Sequence, residues 1–267
     1  MNAAIGLRRT PKHFYLWNDN EPVPGITTVQ GMLDKSGPLV GWAKRETAKA
    51  AVRNAADVLK MLSTSELQNG VNEATLDSHP AVAYLKAMPG YERDKAADVG
   101  SAIHRIAEDY ALERKPTVTD EQAPYLEAFI KGFVEKHKPK FHPDYIEYMV
   151  YSEEHGYGGT MDVACRIGDD VWLIDYKTSK GIYPETSLQL AAGHYADFMG
   201  KPNDTTKHKL PPATRFGVVH IRPEGAYLAE YPMKPAAWEA FLAARTLWGV
   251  VNGEYFDAVK QAIREAR

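Results

Sequence analysis

The chain has 267 residues, with 32 lysines and arginines against 35 aspartates and glutamates and a formal net charge of -3. Apolar residues make up 44% and charged residues 25%, a balance that excludes collagen-like, low-complexity and largely disordered chains. The single cysteine, Cys165, excludes an intramolecular disulfide and any four-cysteine zinc or iron–sulfur site. The absence of an apolar run of roughly 18 residues and of a signal-like start sets the expectation of a cytoplasmic protein with no membrane partner.

Residues 12–17 (KHFYLW) read as a short aromatic strand, and Asn18-Asp19-Asn20 and Pro22-Val23-Pro24-Gly25 mark turns. Thr27 or Thr28 is the expected N-cap of a helix running to about residue 35. Gly37-Pro38 breaks it, and a second helix is expected over about 39–62. Residues 63–77 are polar and read as a short helix plus a loop. Pro80 sits where a helix opens, and that helix is expected to end at Pro89-Gly90. Residues 91–114 carry an apolar stripe of Val99, Ala102, Ile103, Ile106, Ala107 and Tyr110 at helical spacing. A further helix is expected over 120–138.

The texture changes near residue 144. Residues 145–153, 159–167 and 171–177 read as strands rich in Val, Ile, Tyr and Trp. A helix is expected over 185–198, strands over 214–221 and 226–231, and closing helices over 235–251 and the tail. The expected fold is a single α/β domain over residues 1–267, with a central mixed sheet flanked by helices. Residues 1–95 form its helical N-terminal elaboration, 96–235 its core and 236–267 its closing helices.

The stretch from Gly158 to Lys177 carries the chemistry. Gly168-Asp169 is a two-residue hairpin turn. Counting back from it, Ile167 faces Asp170, Ala164 faces Leu173 and Asp162 faces Asp175. Alternation puts Asp175 and Lys177 on one face, so Asp162, Asp175 and Lys177 converge. Opposed carboxylates on apolar strands repel unless a cation lies between them or one is protonated. Two aspartates suit Mg²⁺ or Mn²⁺, and a neighbouring lysine supplies positive charge at a phosphate under attack. That set points to metal-dependent phosphodiester hydrolysis.

In order along the chain stand Gly100-Ser101-Ala102-Ile103-His104, Gly159-Thr160-Met161-Asp162, Ile174-Asp175-Tyr176-Lys177-Thr178 and Gln189-Leu190-Ala191-Ala192. This ordered set resembles the motifs of the PD-(D/E)XK nucleases, in particular the RecB-like exonuclease branch with its phage-encoded members. The resemblance implies a restriction-endonuclease-like core and a DNA exonuclease of phage or bacterial DNA replication, recombination or repair, acting in the host cytoplasm if phage-encoded. It makes Asp162, Asp175 and His104 ligands of Mg²⁺ or Mn²⁺, with the backbone carbonyl of Tyr176 as a further ligand. It makes Lys177 the catalytic lysine and gives Gln189 a supporting role at the site or on the DNA backbone. Glu108, one turn after His104, and Glu154 are candidate supporting acids, and Tyr195, a few residues after Gln189, is a candidate supporting tyrosine. Members often carry tyrosine four residues after the glutamine; here that position is Gly193. The cluster cysteines of some relatives are absent, so no iron–sulfur cluster is expected.

Basic residues concentrate in three stretches. Lys44, Arg45, Lys49 and Arg53 lie along one expected helix beside Trp42, which could stack a base of a single-stranded segment or end. The others are Lys131, Lys136, Lys138 and Lys140, and Lys201, Lys207, Lys209, Arg215 and Arg222. Two other readings share the site: a nuclease-fold DNA-binding accessory without turnover, and a ribonuclease.

Overall fold

The structure is a computed structural model that describes residues 6–265. It is α/β, with a six-stranded mixed sheet flanked by helices. The chain divides into two compact units, one of residues 1–33 and 100–267 and one of residues 34–99.

The first unit opens with a small antiparallel sheet of β1 (Leu7–Arg9), β2 (Phe14–Trp17) and β3 (Val23–Pro24), followed by the short helix α1 (Ile26–Gln30). The α1 N-cap is Gly25 rather than Thr27 or Thr28, and no side chain caps it. Gly25 instead makes a parallel bridge to Gly158, so pairing with the main sheet decides where the helix starts.

The second unit is helical: α2 (Ser36–Arg53), α3 (Ala55–Lys60), α4 (Thr64–Asn69), α5 (Glu73–Leu76) and the first part of α6 (Pro80–Ala111). The expected helix over 39–62 is cut at Asn54 into α2 and α3. Ser63 and Glu66 form a reciprocal capping box at α4. Near the start of α6, the buried His79 ring accepts the Ala81 N–H at 3.1 Å. The expected stop at Pro89-Gly90 does not occur, because α6 runs through Pro89 without a break. Proline removes one backbone donor, but helix propagates cooperatively from both flanks and absorbs that loss. The cut between the units falls within α6, between Val99 and Gly100.

Back in the first unit, α7 (Ala123–Phe129), a π turn over Ile130–Val134 and α8 (Glu135–His137) replace the single helix expected over 120–138. The six-stranded sheet follows, from β4 (Lys140–Ser152), β5 (Tyr157–Ile167), β6 (Asp170–Lys177), β7 (Phe198–Gly200), β8 (Arg215–Arg222) and β9 (Gly225–Glu230), in the order β7-β4-β5-β6-β8-β9. Only β6 and β8 are parallel; α9 (Thr186–His194) lies in their connection, as a parallel crossover requires. The expected helix over 185–198 ends earlier, and Phe198–Gly200 becomes an edge strand on β4. Phe198 and Met199 are buried there, so burial beside β4 overrides helical continuation. The helices α10 (Pro235–Val251) and α11 (Glu254–Glu265) close the chain. No helix among the described residues is long and apolar enough to cross a membrane.

The core includes Tyr148, Val150, Met161, Leu173, Leu190 and Phe241, with Ile26 and Val29 of α1 packed among them. A second cluster joins Leu7, Tyr15 and Trp17 to Met149, Tyr151 and Phe198. The N-terminal sheet thus lies on β4 and β5. A Cβ on Gly158 would stand 2.4 Å from the Tyr15 Cβ, so glycine is what lets β2 come this close.

Candidate metal and phosphate site

The β5–β6 hairpin has the register read from its turn. Ile167 pairs with Asp170, Ala164 with Leu173 and Val163 with Ile174. Gly168 opens the turn at φ 62°, which glycine adopts without steric cost. Beyond Val163 and Ile174, a side chain takes over from the backbone. The Tyr176 N–H donates to Asp162 Oδ2 at 2.7 Å. The other oxygen, Oδ1, lies 3.4 Å from His104 Nδ1. Asp162 therefore ties α6 to the end of β6.

Asp175 is buried to 1% exposure at the end of an apolar strand. Gln189 Nε2 donates to its Oδ1 at 2.7 Å. Its Oδ2 accepts no aligned hydrogen bond, but the Lys177 ammonium lies 2.5 Å away as an ion pair. His104 packs edge-on against the Tyr176 ring, which packs in turn against Phe129 of α7. Four separated motifs thus meet at one place, carried on α6, β5, β6 and α9.

Glu147 of β4 is a member that the sequence reading missed. His104, Glu147 and Asp162 each offer a donor atom, all within 4.8 Å of one another. Glu147 adopts a left-handed φ of 45°, close to a register shift between Phe141 and Ile146. One signal for it was available. Ser152 pairs with Tyr157 across the β4–β5 turn, and counting back from that pair sets Glu147 opposite Asp162. Without the turn, attention falls on Glu153 and Glu154 instead.

The charges explain one another. Burial alone would lower the His104 pKa, but the Asp162 charge and hydrogen bond, with Asp175 behind, hold it up at about 9. Burial would raise Asp162, yet His104, Lys177 and the Tyr176 N–H keep it below the usual carboxylate range. Burial pushes Asp175 up to about 6; Lys177 opposes the rise and Asp162 adds to it. Lys177 sits above its ordinary value, because Asp175 and Asp162 outweigh its burial. Burial, then Asp162 and Glu108, push Glu147 up to about 7. A site that crowds three carboxylates and holds a proton on imidazole is short of positive charge.

The donor set fits a divalent cation. Carboxylate oxygens suit Mg²⁺ and Mn²⁺, and an imidazole nitrogen favours Mn²⁺ of the two. His104, Asp162 and Glu147 are the residues that could hold it, with Asp175 alongside.

The remaining expected site residues separate. Glu108 flanks the cluster, and its charge adds to the burial that raises the Glu147 carboxyl. Glu154 is exposed in the β4–β5 turn, where its carboxylate meets His155 at 3.7 Å. Tyr195 follows α9 and stacks on Trp238 at 5.1 Å between ring centroids. Trp42, Lys44, Arg45, Lys49 and Arg53 all belong to α2 in the helical unit. Two of these cations are paired, Lys49 with Glu46 at 2.9 Å and Arg53 with Glu92 at 3.0 Å; Lys44 and Arg45 are exposed. In the other basic stretches, Lys131 pairs with Glu127, Lys207 with Glu153 and Arg215 with Glu230. Cys165 is buried in β5, and burial pushes its thiol up to about 12. No family model and no curated protein matches this chain.

Proposed function

We infer that the protein is a Mg²⁺- or Mn²⁺-dependent deoxyribonuclease of the PD-(D/E)XK kind, an exonuclease acting on a DNA end or a single-stranded segment. One observation carries this reading: His104 of α6 converges with Asp162, Asp175 and Lys177 of the β5–β6 hairpin, with Gln189 of α9 on Asp175. Each motif also falls on the kind of element that the family resemblance requires: helix, strand, strand, helix. The mixed sheet, with β6 and β8 parallel and α9 between them, supports the finer fold reading.

A bound divalent cation supplies a nucleophilic water at neutral pH and neutralises charge developing on the phosphate. The chain's own residues do the rest. His104 and Asp162 hold their donors toward each other, so the ligand set stands ready before substrate arrives. Asp175, fixed by Gln189, holds the Lys177 ammonium at the site. Lys177 orients the attacking water and offsets negative charge at the phosphate in the transition state. The Tyr176 N–H keeps Asp162 from rotating away.

The test is incubation of end-labelled single- and double-stranded DNA and RNA with Mg²⁺, Mn²⁺ or EDTA. The expected result is divalent-dependent release of short products from DNA, faster with Mn²⁺ and abolished by EDTA. Binding without cleavage would make the protein an accessory factor, and cleavage of RNA alone would make it a ribonuclease.

A further inference from the structure

A cavity of about 690 Å³ opens beside the ligand cluster, with Arg9, Arg114, Lys201, Glu108, Glu147 and Thr160 in its wall. Glu147 belongs both to this wall and to the cluster with His104 and Asp162. The cavity therefore adjoins the proposed site of hydrolysis through Glu147, while His104, Asp162, Asp175 and Lys177 stand outside its wall. Its cations come from three places: Arg9 from β1, Arg114 from the segment after α6, and Lys201 from the turn after β7. No sequence motif connects them.

The arginines are not locked into the fold. The Arg9 guanidinium hydrogen-bonds the exposed His13 ring, and Arg114 is largely exposed, 3.7 Å from Asp109. The Lys201 ammonium donates one hydrogen bond to the Ile146 carbonyl, which leaves two donors for a ligand. Against these three cations the wall sets Glu108, Asp144 and Glu147. A cation on Glu147 would tip this balance to positive, on the side of the cavity next to the reacting phosphate. Leu112, Ile146 and Met149 add an apolar wall suited to a sugar or base face. The volume lies within the range of pockets that bury a small organic ligand.

We propose that this cavity seats the nucleotide adjoining the scissile phosphate, with its own phosphate on Arg9, Arg114 and Lys201. The inference rests on the nuclease reading above and names where the strand lies on one side of the bond that is cut. It also gives the N-terminal sheet a function, since β1 brings Arg9 into one wall with Glu147, which lies far along the chain. The metal favours filling of the cavity, because a cation on Glu147 would shift an even balance of charge in the wall to positive.

The experiment uses the full chain, single-stranded DNA and the double variant Arg9→Ala/Arg114→Ala, with Lys260→Ala on α11 as the control. Binding is read by fluorescence anisotropy with calcium in place of manganese, and cleavage by KM and kcat with manganese. The double variant is expected to bind at least tenfold more weakly and to show KM raised by a similar factor. Its salt dependence should flatten by about 1.4 in log–log slope, about 0.7 for each cation removed from a single strand. A neutral methylphosphonate linkage beside the scissile bond should weaken binding at least fivefold in the wild type. In the double variant the same linkage should cost less than twofold, since the charge it removes has already lost its partners. Unchanged affinity, slope and KM in the double variant, with the wild type still cleaving, would overturn the cavity assignment and leave the nuclease reading standing. Failure of the wild type to cleave any nucleic acid with either metal would overturn the nuclease reading, and this inference with it.

Discussion

The β5–β6 hairpin and β4 are neighbours in one sheet, and they deliver site residues in different ways. The hairpin is regular from Ile167↔Asp170 to Val163↔Ile174. Its period of two sets the direction of each side chain once the turn is known. β4 loses register against β5 between Phe141 and Ile146 and carries Glu147 in left-handed backbone. That conformation costs roughly 1–3 kcal/mol in a residue other than glycine. It is held by the buried neighbours Ile146 and Tyr148, which pair on either side with Val163 and Met161. Both strands place chemistry by counting from a known turn, but the left-handed residue of β4 also needs the packing that surrounds it.

The largest expected effect lies in the hairpin. Lys177→Met should lower kcat by about 10²–10³ or more while the protein still folds and binds Mn²⁺, with some thermal stability lost because the buried Asp175 loses its ion-pair partner. Wild-type turnover in this variant would remove the lysine from the mechanism and leave the hairpin with a structural role only.

Next comes the test of β4. Glu147→Gln should weaken Mn²⁺ binding, measured by calorimetry, by about tenfold or more. Unchanged affinity would confine the ligands to His104 and the hairpin. The same variant has an opposite effect without metal. A carboxyl raised to about 7 binds its proton more tightly folded than unfolded. The folded protein therefore loses stability as pH rises from the ordinary glutamate range to about 7, and the loss is constant above that. Glu147→Gln should remove this dependence, so the metal-free variant gains stability over wild type through that window. An identical pH profile for the two proteins would show that burial and the charges of Asp162 and Glu108 do not raise the Glu147 carboxyl.

Gly158→Ala probes the packing beneath both strands. The added methyl meets the Tyr15 Cβ and ring, and overpacking of this kind costs about 1–3 kcal/mol. Urea unfolding should show the loss. A neutral result would mean that β2 moves off β5 easily and does little to hold the strands in place.

The smallest effect belongs to α2. Lys44→Ala should lower the salt slope of single-stranded DNA binding by about 0.7 if that exposed cation meets a phosphate, with kcat unaffected. A slope equal to wild type would restrict DNA contact to the unit that holds the site.

Much of the site was legible in the sequence, for a physical reason in each case. Asp162, Asp175 and Lys177 follow from a two-residue turn, an apolar run and the period of a strand. The main strands and α10 follow from hydrophobic patterning, which reports burial directly. His104 and Gln189 were reached through family motifs, since a lone histidine or glutamine on a helix has no local mark of function. Glu147 was not reached, because placing it needs the β4–β5 turn and its Ser152↔Tyr157 pair as the starting point for the count.

Local sequence by itself determined the hairpin, the alternation of its faces and the approximate extent of the main sheet, because turn geometry and side-chain period act over a few residues. Helical cooperativity carried α6 through Pro89, and tertiary structure alone decided that Phe198–Gly200 leaves a helical run to pair with β4 and that Arg9 and Glu147 share a wall. In the last two, the energy that selects the outcome comes from partners far away in the chain, whose burial and pairing outweigh local preference.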